Sequence, residues 1–200
     1  MRGLRHVDGK IGVLALQGDV SEHIQAFEQV IQERCLSIPV IPVRNPADLE
    51  DLFALAIPGG ESTTIMRLID QNNMRQPIKT FKGGIFATCA GMVIMAREVI
   101  GEARFTPLGI VDMVVNRNAF GRQRESFEAD IDIPGLSSPF HAIFIRAPIA
   151  ESAGSDVQII ARIDQGIIGV QSGKNLVLSF HPEIGGDLRL HHLFLDGILR

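Results

Sequence analysis

The stretch Ile11-Gly12-Val13-Leu14-Ala15-Leu16, which ends in Gln17-Gly18-Asp19, decides the fold. A short apolar run followed by turn residues is typical of a strand that is buried on both faces, as parallel sheets require. From Val20 to Ile31, apolar side chains recur at helical spacing with charged and amide side chains between them. This spacing predicts an amphipathic helix, and the two segments together predict a βα unit.

The same alternation continues through the first half of the chain. Further strands are predicted over 37–43, 53–57 and 84–88, with helices after Gly60 and over 90–96. The helix that follows the Pro58-Gly59-Gly60 turn would be capped by Ser62 or Thr63. Strands that alternate with helices predict an α/β fold: a largely parallel sheet with helices on both faces.

After about Thr106 the pattern changes to strand candidates with few helices between them. These candidates are 110–115, 126–133, 141–145, 157–163, 167–171 and 176–180. Ser172-Gly173-Lys174-Asn175 is typical of a hairpin loop, and the apolar spacing from Leu188 to Ile198 predicts a final helix. We therefore expect extra antiparallel strands in the second half.

Composition and charge exclude several classes of protein. The chain has 200 residues, of which 46% are hydrophobic and 21% charged, so disorder of the bulk and an integral membrane protein are both excluded. The net charge is −4, and the only basic group is the loose set Arg117, Arg122 and Arg124, which disfavours nucleic-acid binding. Two cysteines and no signal peptide favour the cytoplasm.

Residues 1–9 show no periodicity and carry mixed charge, so they are interpreted as a flexible N-terminal extension. No repeat, linker or low-complexity segment follows. A single domain over 10–200 is therefore expected.

Cys89 lies between a predicted strand and a predicted helix, with small residues on both sides. A strand-turn-helix elbow of this kind points a nucleophile out of the carboxyl edge of the sheet, where open α/β sheets bind ligands. A cysteine beside a strand is also often a small buried hydrophobic residue, so the elbow alone does not decide between the two.

His181-Pro182-Glu183 follows the last predicted strand. Residues two apart in an extended chain point to the same side, so Glu183 can fix the ring of His181 while the other ring nitrogen faces a nucleophile. A surface ion pair is the alternative. The paired glycines Gly59-Gly60 allow backbone N–H groups to converge as an oxyanion hole, although a phosphate cradle or an ordinary capped turn fits them as well.

Six segments carry a resemblance to a known family. They are Leu14-Ala15-Leu16-Gln17-Gly18, Pro58-Gly59-Gly60-Glu61-Ser62-Thr63, Thr88-Cys89-Ala90-Gly91, Arg117-Asn118-Ala119-Phe120-Gly121-Arg122-Gln123, Phe144-Ile145-Arg146-Ala147-Pro148 and His181-Pro182-Glu183. Together and in this order they resemble the glutaminase subunits of pyridoxal 5'-phosphate synthase, a family of class I (triad) glutamine amidotransferases. The resemblance implies a three-layer, flavodoxin-like fold.

The resemblance also implies roles for individual residues. Cys89 matches the nucleophile, His181 the general acid and base, and Glu183 the residue that orients it. Matches to glutamine-binding positions are Gly60, Glu61, Ser62, Arg117, Ile145 and Arg146. Backbone N–H groups of Gly60 and Ala90 would form the oxyanion hole, and Gln17, on the same sheet edge as Cys89, is a candidate for sensing a partner.

The implied activity is hydrolysis of L-glutamine through a cysteine thioester, with the ammonia passed to a synthase subunit that makes pyridoxal 5'-phosphate. Neither a bound cofactor nor a metal is expected. Two alternatives remain: a free-standing cysteine γ-glutamyl hydrolase, and a catalytically silent binding module, which only the departure at Ala87 from the usual glycine supports. His191 and His192 on the final helix are interpreted as solvated, and Cys35 as structural.

Overall fold

The computed structural model describes residues 5–120 and 126–199. Its centre is a ten-stranded sheet, in which five neighbouring strands are parallel. In spatial order these five are β4 (Val40–Val43), β2 (Lys10–Leu14), β5 (Leu52–Ile57), β6 (Gly84–Thr88) and β14 (Asn175–Leu178). Counted along the chain, this is the order 2-1-3-4-5 of flavodoxin-like sheets, so the predicted fold class is confirmed.

The rest of the sheet is mostly antiparallel, as expected for the second half. Its strands are β13 (Gly166–Ser172), β12 (Gln158–Ile163), β11 (Ile149–Ala153), β8 (Val111–Asn116) and β7 (Ala96–Val99). Only the β7–β8 pair is parallel here. The strands β9 (Ser126–Ile131) and β10 (Phe140–Ile145) form a separate antiparallel hairpin.

Helices cover both faces of the sheet. One face packs against α1 (Val20–Glu33) and α5 (Arg189–Ile198), and the other against α2 (Ser62–Gln71), α3 (Arg75–Lys79) and α4 (Ala90–Met95). Successive side chains of the central strands alternate between two cores: in β5, Ala54 and Ala56 face α1, whereas Leu55 and Ile57 face α2 and α4. The three predicted layers are therefore present.

The sequence missed two strands of the central sheet, β7 and β11. β7 has only four residues and two of its side chains are exposed, whereas β11 is interrupted by a bulge between Ala150 and Ser152. Neither segment shows the regular alternation that marks a longer strand.

The predicted strand over 37–43 divides into β4 and a two-residue strand, β3 (Leu36–Ser37). The division falls at Pro39, which has no N–H group to donate to a ladder. β3 pairs in parallel with β1 (Arg5–His6). Backbone pairing thus begins before Lys10, which is earlier than expected, while the flexibility of the extension stays a prediction.

The helix after the Gly59-Gly60 turn begins at Ser62, but its cap is neither of the two predicted residues. Glu61 is the N-cap, and its carboxylate accepts from the N–H groups of Thr63 at 3.1 Å and Thr64 at 2.6 Å. A carboxylate has two acceptor oxygens and so satisfies two of the free N–H groups of the first turn. In the described ranges, no helix is long and apolar enough to cross a membrane.

Candidate active site

The predicted elbow is present at Cys89. Its backbone has φ 49° and ψ −105°, a conformation that non-glycine residues seldom adopt, between the end of β6 and the start of α4. The Cys89 N–H donates to the carbonyl of Leu178 on β14 at 2.9 Å, which fixes the turn to the neighbouring strand. A Cβ at Gly91 would lie 3.0 Å from the Cβ of Ala87, so the absence of a side chain at Gly91 makes room for the methyl group of Ala87.

His181 and Glu183 follow β14 and lie beside this elbow. The Nδ1 atom of His181 is 2.8 Å from Oε1 of Glu183, and both side chains are buried. The N–H of His181 donates to the carbonyl of Ile143 on β10 at 2.9 Å, so the hairpin holds the histidine backbone. Because Nδ1 is paired with Glu183, Nε2 is the ring nitrogen left to interact with Cys89.

The electrostatics of the three residues agree with this arrangement. Burial alone would lower the pKa of His181, but the hydrogen bonds and negative charges of Cys89 and Glu183 outweigh it and raise that pKa to about 10. Burial likewise disfavours the ionised form of Glu183, yet His23 and His181 hold its pKa well below the usual range. The site thus favours the imidazolium form of His181, and an imidazolium beside a cysteine promotes the reactive form of its sulfur.

A cavity of about 1050 Å³ opens in front of the elbow. The sequence-predicted residues that line it are Gln17, Gly60, Glu61, Ser62, Cys89, Ala90, Arg117, Ile145, Arg146 and His181. Glu183 is absent from this lining because it lies behind His181, with its side chain fully buried. The fold therefore brings all the predicted site residues to one edge, while their individual roles remain predictions.

The loop that contains Gly60 is held from two sides. The side-chain oxygen of Gln17 accepts from the N–H of Glu61 at 2.9 Å, and the Asp19 N–H donates to the carbonyl of Gly59 at 3.2 Å. Gly60 has φ 147°, a value at which a side chain would be strained. Gln17 thus contacts the predicted oxyanion segment directly.

Arg117 reaches the cavity from the end of β8 and is held by acidic partners. Its guanidinium forms a short contact with the carboxylate of Glu102, lies 3.5 Å from that of Glu61, and donates to the Thr63 hydroxyl at 3.3 Å. Hydrogen bonds from the Arg104 side chain and backbone lower the pKa of Glu102, with help from Arg117, to about 2, so its charge persists at neutral pH. The Arg117 guanidinium is therefore held in place by neighbouring side chains.

Cys89 contacts the backbone of Ile145, which lines the cavity together with Arg146. The Sγ atom of Cys89 is 3.7 Å from the carbonyl of Ile145, within reach of a weak S–H hydrogen bond. Arg146 itself has φ 45°, so the backbone after this carbonyl turns in the left-handed region. That turn directs the Ile145 carbonyl towards the nucleophile.

Sequence reasoning missed three residues of the site: Asp19, His23 and Glu102. An Asp19 oxygen lies 3.4 Å from Nδ1 of His181, and Nε2 of His23 lies 3.5 Å from the Glu183 carboxylate. The sequence does signal His23, because it lies four residues before Phe27 on the buried face of α1, where an apolar side chain is expected. No local pattern marks Glu102.

The interpretation of the final helix is wrong for His191. This side chain is fully buried and packs against the rings of Phe27 and Phe86, because it continues the apolar face of α5. His192 is partly exposed, and its Nε2 is 2.8 Å from Glu33. Cys35 is exposed just beyond α1, and Arg122 and Arg124 lie outside the described residues.

Among the described residues, one group has the composition of a metal site: Asp19, His181 and Glu183. The Nδ1 atom of His181 already pairs with Glu183, so this nitrogen has a protein partner at 2.8 Å.

A cysteine on a strand-to-helix elbow, with a histidine–glutamate pair at the end of the next parallel strand, defines a triad cysteine hydrolase of the open α/β type. Comparison with known proteins narrows this class. Residues 13–200 match the model of the SNO glutamine amidotransferase family, and the chain belongs to that family.

Similar proteins agree with this assignment. The chain is 66% identical over 189 residues to pyridoxal 5'-phosphate synthase subunit PdxT of Methanospirillum hungatei, covering 94% of this chain and 96% of that one. It is 48% identical over 195 residues to the PdxT subunit of Pelotomaculum thermopropionicum, covering 96% of each.

Solved structures show the same fold. A crystal structure of a glutamine amidotransferase superposes with a TM-score of 0.86 at 40% identity, over 96% of this chain and all of that one. A glutamine amidotransferase from Thermotoga maritima, at 14% identity, shares the fold alone, with a TM-score of 0.59 over 93% of this chain and 83% of that one. The family resemblance read from the sequence is thus confirmed.

Proposed function

We propose that the chain is the glutaminase subunit of a pyridoxal 5'-phosphate synthase, which hydrolyses L-glutamine and supplies ammonia for vitamin B6 biosynthesis. The observation that carries this proposal is the juxtaposition of Cys89, His181 and Glu183 at one end of the cavity. Membership of the family and the names of the similar proteins support the choice of substrate and partner.

In the first half of the reaction, the Cys89 thiolate attacks the side-chain amide carbon of glutamine. The electron pair of the C=O bond moves to oxygen, and in this proposal the N–H groups of Gly60 and Ala90 stabilise that oxyanion. His181 then gives its Nε2 proton to the amide nitrogen as the C–N bond breaks. The products of this half are ammonia and a γ-glutamyl thioester on Cys89.

In the second half, water attacks the thioester carbon and gives a proton to Nε2 of His181. The C–S bond breaks, glutamate leaves, and the thiolate–imidazolium pair is restored. Glu183 stabilises the imidazolium whenever it forms, and its hydrogen bond to Nδ1 keeps Nε2 directed at the reacting atoms.

The negative α-carboxylate of glutamine has a positively charged partner in the cavity wall, the guanidinium of Arg117. The guanidinium of Arg117 has five donors, more than its three described contacts use, so it can also bind the α-carboxylate of glutamine. Glu61, whose carboxylate is committed to the cap of α2 and to Arg117, holds this region in shape. Ser62 is buried at the first turn of α2, where it also lines the cavity.

Ammonia released into water becomes protonated and is no longer a nucleophile. A synthase subunit docked over the cavity would receive the ammonia before it is protonated. We infer that Gln17 senses this partner, because its side chain holds the N–H of Glu61 next to Gly60. The cytoplasm is the proposed location, which two free cysteines support.

The test is glutamine turnover by the purified chain, with and without the synthase subunit. We expect slow turnover alone and at least a tenfold increase in the complex, with the Gln17→Ala variant giving a smaller increase. No glutamine turnover in a complex shown to assemble would contradict the proposed function. Equal turnover with and without the partner would contradict only the sensing role.

A further inference from the structure

A second buried histidine lies behind the triad. His23, on α1, is fully buried, and its Nε2 atom is 3.0 Å from the Thr88 hydroxyl and 3.5 Å from Oε1 of Glu183. Thr88 immediately precedes the nucleophile at the end of β6. His23 therefore contacts two of the elements that build the site, although it does not line the cavity.

The contacts of His23 define its tautomer. Its Nδ1 atom has no partner among the described residues. A proton on Nδ1 would leave a buried donor unpaired, which is unfavourable, and would turn the Nε2 lone pair towards a carboxylate. A proton on Nε2 instead points at the Thr88 hydroxyl and at Glu183.

Glu183 has few other groups to stabilise its charge. Oε1 accepts from Nδ1 of His181 at 2.8 Å, whereas Oε2 is buried without a partner among the described residues. A carboxylate that is fully removed from water is costly unless donors surround it. His23 is thus the second of the two rings that face this carboxylate.

A second carboxylate, that of Asp19, can compete with Glu183 for the Nδ1–H group of His181. The Asp19 carboxylate, before α1, lies 3.4 Å from the same Nδ1 atom of His181 but is partly exposed. If Glu183 moved or took up a proton, His181 would pair with Asp19 instead, and its ring would turn relative to Cys89.

We propose that His23 is a positioning residue for glutamine hydrolysis: its Nε2–H holds the Glu183 carboxylate ionised and in line with His181. The part of this inference that concerns glutamine hydrolysis rests on the proposed function. The influence of His23 on the Cys89–His181 pair does not need a substrate and can be measured in the free chain. Thr88 sets the orientation of the His23 ring and links it to the elbow.

The charged and titratable groups around His23 and Glu183 come from four parts of the fold. They are Asp19 before α1, Cys89 at the elbow, His181 and Glu183 after β14, and His191 on α5. Burial lowers the pKa of His191 to about 3, with His23 contributing, so His191 is neutral in the working range. Its ring centroid is 6.3 Å from that of His23, and both of its nitrogens lack partners in the described residues.

His191 is therefore a matched control: it is equally buried and lies in the same layer, without a hydrogen bond to the triad. Two conservative variants separate the two nitrogens of His23. Glutamine places its side-chain N–H₂ group near the position of Nε2, whereas asparagine places it near Nδ1. His23→Gln should keep the contact with Glu183, and His23→Asn and His23→Phe should lose it.

The first experiment measures the rate of Cys89 alkylation by iodoacetamide against pH, in a Cys35→Ser background because Cys35 is exposed. We expect His23→Asn and His23→Phe to move the acid limit of fast alkylation to higher pH, because the His181 imidazolium that stabilises a neighbouring thiolate is itself less stable. His23→Gln and His191→Phe should keep the original acid limit. A variant that is merely less folded would lose alkylation amplitude without moving this limit.

The second experiment measures kcat and KM for glutamine in the complex with the synthase subunit. We expect kcat to fall about tenfold or more in His23→Asn, with KM unchanged and most of the rate restored in His23→Gln. Identical pH ranges and kcat in His23→Asn and the unmodified chain would overturn the proposal, as would equal losses in the Gln and Asn variants. Absence of glutamine turnover in every form would refute the proposed function, and the alkylation profiles would still decide the role of His23.

Discussion

Replacement of Glu183 by glutamine removes one charge from the site and little else. The side chain keeps its size and one carbonyl oxygen, so His181 can retain a hydrogen bond through Nδ1. What is lost is the negative charge 2.8 Å from the ring, in a place where Glu183 is fully buried. The variant therefore isolates the electrostatic contribution of Glu183 to the imidazolium.

The expected loss follows from the strength of that contact. A hydrogen bond to a charged group is worth about 1.5–3 kcal/mol, against about 0.5–1.5 kcal/mol for a neutral pair, and the buried charge adds to the difference. A loss of about 1–3 kcal/mol in the transition state corresponds to a fall in kcat of roughly 5- to 150-fold. The pKa of His181, now raised to about 10, should also fall, so the alkaline limit of activity moves to lower pH.

The assay is kcat against pH for the complex with the synthase subunit, with thermal unfolding as a check on the fold. Glu128→Gln is the matched control, because Glu128 pairs with His141 at 2.9 Å on the exposed hairpin, away from the cavity. Unchanged kcat and an unchanged alkaline limit in Glu183→Gln would refute the assigned role. A similar loss in Glu128→Gln would show that the effect is not specific to the triad.

Three further changes test other parts of the site. Cys89→Ala should abolish glutamine hydrolysis while Cys35→Ser leaves it intact; turnover above a few per cent in Cys89→Ala would place the nucleophile elsewhere. Glu61→Ala should lower the free energy of unfolding by about 0.5–2 kcal/mol through loss of the cap, and Glu61→Gln by less, as urea denaturation would show. Hydrogen bonds from Thr64 and Thr63 outweigh burial and hold the pKa of Glu61 at about 2. The stabilisation by the Glu61 cap is therefore fully present above pH 4.5 and is lost as the pH falls through about 2. A difference in unfolding free energy between the unmodified chain and Glu61→Ala that does not change with pH would contradict this. Arg117→Ala should raise KM for glutamine while alkylation of Cys89 by iodoacetamide continues at its normal rate; loss of that alkylation would show that Arg117 supports the nucleophile itself.

The sequence predicts the fold well because its central strands are buried on both faces and so read as continuous apolar runs. Ile11 to Leu14 and Gly84 to Thr88 are examples, each followed by turn residues and a helical period. The edge strand β7 and the bulged strand β11 lack this pattern, because half-exposed and irregular pairing does not impose regular alternation.

The elbow and the His181–Glu183 pair could be predicted for a different reason, because each has a local signature: small residues around Cys89, and a His-x-Glu segment at a strand end. Residues that act through a neighbour carry no such signature. Glu102 supports Arg117 from a separate loop, and Asp19 approaches His181 only after the chain has folded. His191 was misjudged because its burial depends on the rings of α1 and β6, which its own helix does not reveal.

If Cys89 forms the covalent intermediate with glutamine, a glutamine-like diazoketone should modify its sulfur. The complex is treated with this reagent until turnover stops, and the modified residue is identified by peptide mass mapping. We expect one modification per chain, on Cys89, in step with the loss of activity, and none in Cys89→Ala. Loss of turnover with Cys89 unmodified, or with the modification on Cys35, would contradict it.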